Sequence, residues 1–147
     1  MSRIASLLLV AATAWSIACA PADRTLRVER FIEGGDAARF DPFDRTITDA
    51  TSVARIEDAL LALHPAPSPD DRFCPISWGL RYRFSFTRPF ALTRTAILEA
   101  DGCRVAHLDL LDRRDTTESF WALLAEGLGL YTRGNDLFPL PREMRRP

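Results

Sequence analysis

The chain has no lysine and no glutamine, and only two histidines. Each shortage excludes something. All 19 basic residues are arginine, and 20 carboxylates balance them to a net charge of −1. A domain that binds nucleic acid usually carries a basic excess, and there is none here. Arginine in place of every lysine fits the codon usage of a GC-rich genome. The other reading is selection of arginine for bidentate anion binding, and no cluster is dense enough to support it. His64 and His107 share no spacing that would pair them as ligands, so no metal and no cofactor is expected. The chain shows no internal repeat and no low-complexity tract. The apolar stretch from Ile4 to Ala14 is too short to cross a bilayer, which takes about 20 residues.

What is present begins with a targeting segment. Arg3 is a minimal basic start, Ile4 to Ala14 an apolar middle, and Ser16-Ile17-Ala18-Cys19 an end of small residues. This end resembles the lipobox of bacterial lipoproteins, in which the cysteine is lipidated and becomes the mature N-terminus. Ser16 stands where leucine is usual. The rival is plain secretion after cleavage at Ala18-Cys19-Ala20, which leaves Pro21 awkwardly just past the cut. The expected organisation is a signal peptide over 1–19, a linker over 20–24, one domain over 25–131, and a loosely ordered tail over 132–147. At 147 residues and 47% hydrophobic, a single globular domain is expected.

The clearest pattern is at the centre. Trp78, Leu80, Tyr82, Phe84 and Phe86 alternate with small or charged residues, which predicts a strand with one apolar face. Leu92–Ala100 and Cys103–Leu111 flank Asp101-Gly102, the preferred pair for a tight hairpin. A two-residue loop there sets Leu98 against Val105, Ala96 against His107, Arg94 against Asp109 and Glu99 against Arg104. The last two are opposite-charge pairs worth roughly 0.2–1 kcal/mol each. The preceding loop, Thr87 to Ala91 with Pro89 as turn former, keeps Leu92, Ala96 and Leu98 on the apolar side. The other side then carries Arg81, Arg83, Thr95 and Glu99, with Ile97, Leu108 and Leu110 among them.

Around this core, Thr25–Ile32 reads as a strand at the sheet edge and Arg45–Thr48 as a short extended piece. Thr51–Leu63 reads as a helix capped by Asp49 or Thr51, with Val53, Ile56, Leu60 and Leu63 on one face and Glu57 and Asp58 elsewhere. His64-Pro65 stops it. Asp115–Gly129 reads as a second helix, with a capping-box-like Asp115 and Glu118, a stripe of Phe120, Leu123, Leu124 and Leu128, and Trp121 at the margin. The expected fold class is α+β: an antiparallel sheet of three to five strands with two helices on one face, in an order of elements similar to cystatin-like folds.

Chemistry-bearing candidates are few. If Cys19 is lipidated, Cys74 and Cys103 remain, and an exported chain with two cysteines predicts one disulfide. Its closure is worth roughly 3–4 kcal/mol in the chain-entropy model. His107 and Asp109 on one strand face suggest part of a hydrolase triad, but no nucleophile motif accompanies them. Arg81 and Arg83 form either a solvated face or an anion or partner contact. Arg72-Phe73-Cys74-Pro75 has the make-up of a rigid protease-inhibitor loop. Glu57 and Asp58 are helix neighbours and do not face one another.

Thr48-Asp49, Leu60, Leu63, Cys74-Pro75, Gly79, Tyr82 and Gly102-Cys103 together resemble uncharacterised small lipoproteins of GC-rich bacteria, over about residues 45–128. The resemblance implies an envelope location and a disulfide, and brings no activity. The functional expectation is a membrane-anchored, non-enzymatic binding module. Its partners would be the membrane, through the lipid, and an envelope protein or small ligand. The alternatives are a secreted hydrolase using His107 and Asp109, or a protease inhibitor using residues 72–75.

Overall fold

The computed structural model describes residues 24–35, 37–130 and 137–145. The signal segment, Cys19 and most of the linker lie outside these residues, as do 131–136 and 146–147 of the C-terminal stretch. The fold is α+β: one antiparallel sheet with two helices on one face. In chain order the elements are β1 (Thr25–Ile32), β2 (Asp44–Ile47), α1 (Ala50–Leu61), β3 (Leu80–Thr87), β4 (Arg94–Glu99), β5 (Val105–His107), β6 (Arg113–Asp115) and α2 (Glu118–Gly127). The sheet has six strands in the order β2-β1-β3-β4-β5-β6, not three to five. β1 is therefore not an edge strand. It pairs with β3 along its whole length and carries β2 outside it.

The expected alternation of β3 holds from Leu80 onward. Leu80, Tyr82, Phe84 and Phe86 are buried, and with Leu26 and Val28 of β1 and Ala96 and Leu98 of β4 they form the sheet's contribution to the core. Val53, Ile56 and Leu60 of α1 and Phe120, Trp121 and Leu124 of α2 complete it. Trp121 is buried, beyond the marginal place expected of it. The helices meet closely at Gly127, where a Cβ would lie 2.9 Å from Ile56 Cδ1. Asp49 caps α1 by accepting from Ser52 N–H at 2.8 Å. α2 starts later than its sequence suggests: Thr117 is the cap, accepting from Phe120 N–H, while Asp115 belongs to β6. Glu57, expected on the surface of α1, is 2% exposed; Arg88 and Arg94, from the β3–β4 hairpin, pair with it at 2.6 and 3.6 Å.

The β4–β5 register differs from expectation by one residue. Ile97 pairs with His107 and Leu98 with Ala106. Arg104 adopts φ +53, so the turn extends past Asp101-Gly102 and takes up an extra residue. The slip puts Ala106 in the core and His107 on the open face. It also dissolves both expected charge pairs: Glu99 meets His107 and Arg81, Arg94 meets Glu57, and Arg104 meets Glu118. Leu92, expected against the core, is 95% exposed.

In the described part of the C-terminal stretch, Leu137 and Phe138 pack against the core. Leu137 is 1% exposed, and its carbonyl accepts from Tyr82 Oη at 2.9 Å. Phe138 stacks edge-on against Trp121. Arg142 and Arg145 both hold Asp41.

The antiparallel registers give the sheet two distinct ends. At one, β1 begins opposite Thr87, and the β3–β4 hairpin and the β5–β6 turn project. At the other, Gly79 adjoins Glu33, and the segment from Arg72 packs against the Asp101–Cys103 turn.

Candidate functional site

The segment 72–79, at the end of the sheet where β1 finishes, is held by a cluster of contacts. Cys74 and Cys103 form the expected disulfide, with Cα atoms 4.9 Å apart. Arg72 turns inward: its guanidinium donates to the Cys103 carbonyl at 3.0 Å and to the Asp115 carboxylate. Asp101 organises the rest. Its carboxylate accepts from Ser77 Oγ at 2.8 Å, from Trp78 N–H at 2.6 Å and from Leu80 N–H at 3.3 Å. Ser77 Oγ in turn accepts from Gly79 N–H at 3.1 Å. Gly79 ends the strand at φ +76, where a Cβ would lie 2.3 Å from the Glu33 carbonyl oxygen, so Trp78 falls outside β3. The outcome is a fixed backbone with two apolar side chains projecting, Phe73 at 97% and Ile76 at 83% exposure. Beneath lies a cleft of about 260 Å3, walled by Pro75, Trp78, Gly102, Arg104 and Phe138–Pro141.

The open sheet face carries the other sequence candidates. A chain of polar contacts runs Glu33–Arg81–Glu99–His107. Arg81 contacts Glu33 at 2.5 Å and Glu99 at 3.5 Å, and His107 Nε2 lies 3.1 Å from the same Glu99 oxygen. Arg83 lies over the Phe31 ring at 5.2 Å. Arg81 is thus engaged by carboxylates and Arg83 by an aromatic face. His107 and Asp109 line the same open groove of about 480 Å3, with Ile97, Leu108 and Leu110, but no hydrogen bond or ion pair joins them. Asp109 instead accepts from the Leu111 and Asp112 N–H groups, both at 2.7 Å, which hold its carboxyl below the usual range. The geometry therefore assembles His107 with Glu99, and gives Asp109 the task of shaping a turn.

A cavity of about 630 Å3 lies between Asp41–Phe43 and the C-terminal segment. On its wall the Arg30 guanidinium donates to Tyr82 Oη and the Asp41 carbonyl and stacks on Phe43 at 4.9 Å. Among the described residues no cluster of histidine, cysteine and carboxylates could hold a metal. No described helix is long and apolar enough to cross a membrane. The sequence marked the Arg72–Pro75 loop through its composition. It gave no signal of the role of Asp101, which read there only as a turn residue. Compared with family models, curated proteins and solved structures, the chain matches none.

Proposed function

We propose that the protein is a lipid-anchored, non-enzymatic binding module of the cell envelope, attached through Cys19, which presents the loop 72–78 to a protein partner. The observation that carries this reading is the exposure of Phe73 and Ile76 on a backbone already fixed by a disulfide, a guanidinium and a carboxylate. Binding an exposed aromatic on a preorganised loop spends little conformational entropy, and such residues dominate interface energies. The cystatin-like order of elements, with α1 between the early and late strands of the sheet that covers it, belongs to the same reading. Intact mass of the mature protein tests the anchor: a lipid on Cys19 is expected, and a bare N-terminus at Pro21 or beyond overturns it. Crosslinking and pull-down of the protein from its own cells tests the loop. The captured partner should be lost from Phe73→Ala and Ile76→Ala, and its retention overturns the assignment.

A protease inhibitor is the second reading, and a specific observation shapes it. Arg72 is tied to Asp115 and Cys103, so Phe73 is the side chain offered to an enzyme. Inhibition of chymotrypsin-like and not of trypsin-like proteases is the expected pattern. Absence of both removes this reading and leaves the first intact.

A further inference from the structure

Four large apolar side chains stand almost wholly in water at the end of the sheet where β1 begins. Phe90 (109%) and Leu92 (95%) form the tip of the β3–β4 hairpin, and Leu110 (98%) and Leu111 (92%) form the β5–β6 turn. The registers bring the two tips to one end. Thr25, at the start of β1, lies opposite Thr87, just before the first tip. His107 pairs with both Ile97 and Arg113, so the second tip runs alongside β4 toward Arg94 and the same end. Leu110 accordingly shares a groove with Thr95. Phe90 is held outward by φ +57, a left-handed conformation uncommon for an aromatic residue. Backbone strain of this kind is kept where the surrounding structure enforces it.

We infer that these tips form a membrane-contacting surface that dips into the interfacial region of a lipid bilayer, beside the N-terminal anchor. This rests on the anchored reading above. Cys19 and Arg24 are separated by so few residues that even a fully extended chain spans at most about 18 Å. A lipid on Cys19 therefore keeps the two tips close to the bilayer. A single acyl chain binds a bilayer only marginally, and apolar tips beside a lipid add to its hold. Arg88 and Arg94, 41% and 50% exposed, flank the hairpin tip; both pair with Glu57, so the group carries one net positive charge toward anionic headgroups. The loop at Phe73 lies at the opposite end of the sheet and so points away from the bilayer.

The test uses an environment-sensitive dye on a cysteine introduced at each end: Phe90→Cys, Leu110→Cys and, as the distal control, Phe73→Cys. All three sites are exposed. Cys19 is replaced by serine so that the introduced cysteine is the one thiol to be labelled. Thermal melts with non-reducing peptide mapping verify the fold and the Cys74–Cys103 bridge in each variant. Each chain is held by an N-terminal hexahistidine tag on vesicles of phosphatidylethanolamine and phosphatidylglycerol that contain a nickel-chelating lipid. Nitroxide-labelled lipids are the quenchers. Dyes at 90 and 110 should be quenched at least about twofold more than the dye at 73, as expected for residues in the headgroup region. Equal quenching at the three sites, or none at 90 and 110, overturns the inference. A dye at 90 that is shielded without vesicles marks a second copy of the chain as the occupant, and also overturns it. Flotation of the untagged protein from its own cells tests the anchor separately, because the tag supplies the tether whether or not Cys19 is lipidated.

Discussion

Glu57 is buried, yet the two guanidiniums that neutralise it stand largely in water. Arg88 reaches it at 2.6 Å and Arg94 at 3.6 Å, while one carboxylate oxygen, Oε1, has no hydrogen-bond donor. This makes the two sides of the pair unequal. Removing Arg88 leaves a desolvated charge with a poor remaining partner, whereas neutralising Glu57 leaves arginines that water can solvate. Arg88→Ala is therefore expected to lower the melting temperature more than Glu57→Gln, and the double variant should recover part of the loss. The opposite ranking in thermal melts would contradict the geometry. Gly79 gives a second test at the same scale. Its positive φ and the nearby Glu33 carbonyl leave no room for a methyl group. Gly79→Ala should cost more than about 1 kcal/mol by denaturant unfolding.

At the scale of elements, the strands and helices with strong periodicity were legible in the sequence, and those without it were not. Phe84 and Phe86 announce β3, and Val53, Ile56 and Leu60 announce α1. β6 has no apolar residue at all, only Arg113-Arg114-Asp115, so no alternation could reveal it. β5 buries Val105 and Ala106 on successive positions, which hides its period. The Asp101-Gly102 pair marked a turn correctly, but its register could not be read there. Arg104 adds a residue through a backbone angle that no composition rule demands. Likewise Thr117, not Asp115, caps α2, because Asp115 is occupied by Val105 and Arg72. Thr117→Ala should cost roughly 0.5–2 kcal/mol, read by denaturant unfolding. The candidate loop was half legible: its disulfide followed from cysteine count and the expectation of export, its carboxylate clamp from nothing local. Replacing Cys74 and Cys103 together by serine should cost roughly 3–4 kcal/mol while leaving a folded domain. A cost near zero would show that the clamp alone fixes the loop.

For the whole molecule, one core couples both helices to the sheet, with Leu124 fully inside it. Leu124→Ala should cost roughly 2–5 kcal/mol. Charge adds a pH dependence. Asp41 is held below its ordinary range by Arg145 and Arg142, and Asp44 by Arg27. Asp109 is held there by the Leu111 and Asp112 amides. A carboxyl whose folded value is depressed contributes its stability above its unfolded value, near 4, and loses it as the pH falls through the folded value. Melting temperature should thus decline as the pH drops below about 5. The decline should be gradual and weaker in salt, because all three groups face solvent. Since Asp41 ties down Arg142 and Arg145, the C-terminal segment should loosen before the sheet does, visible as earlier amide exchange. A flat profile down to pH 3 would contradict these pairings.

The two outer strands of the sheet are short. β2 has four residues, two of them charged, and β6 has three. The free side of β6 is not bare: Ala66 N–H donates to the Arg113 carbonyl and Asp115 N–H to the His64 carbonyl, both at 2.9 Å, so residues 64–66 lie along it as a selvage. On the proposed anchor the protein would be confined to a plane, where neighbours of the same kind collide far more often than they would in bulk. Open strands at such density would invite copy-to-copy zippering into fibres. With one border hemmed and the other cut to four residues, the sheet can be crowded on a surface without its copies knitting together.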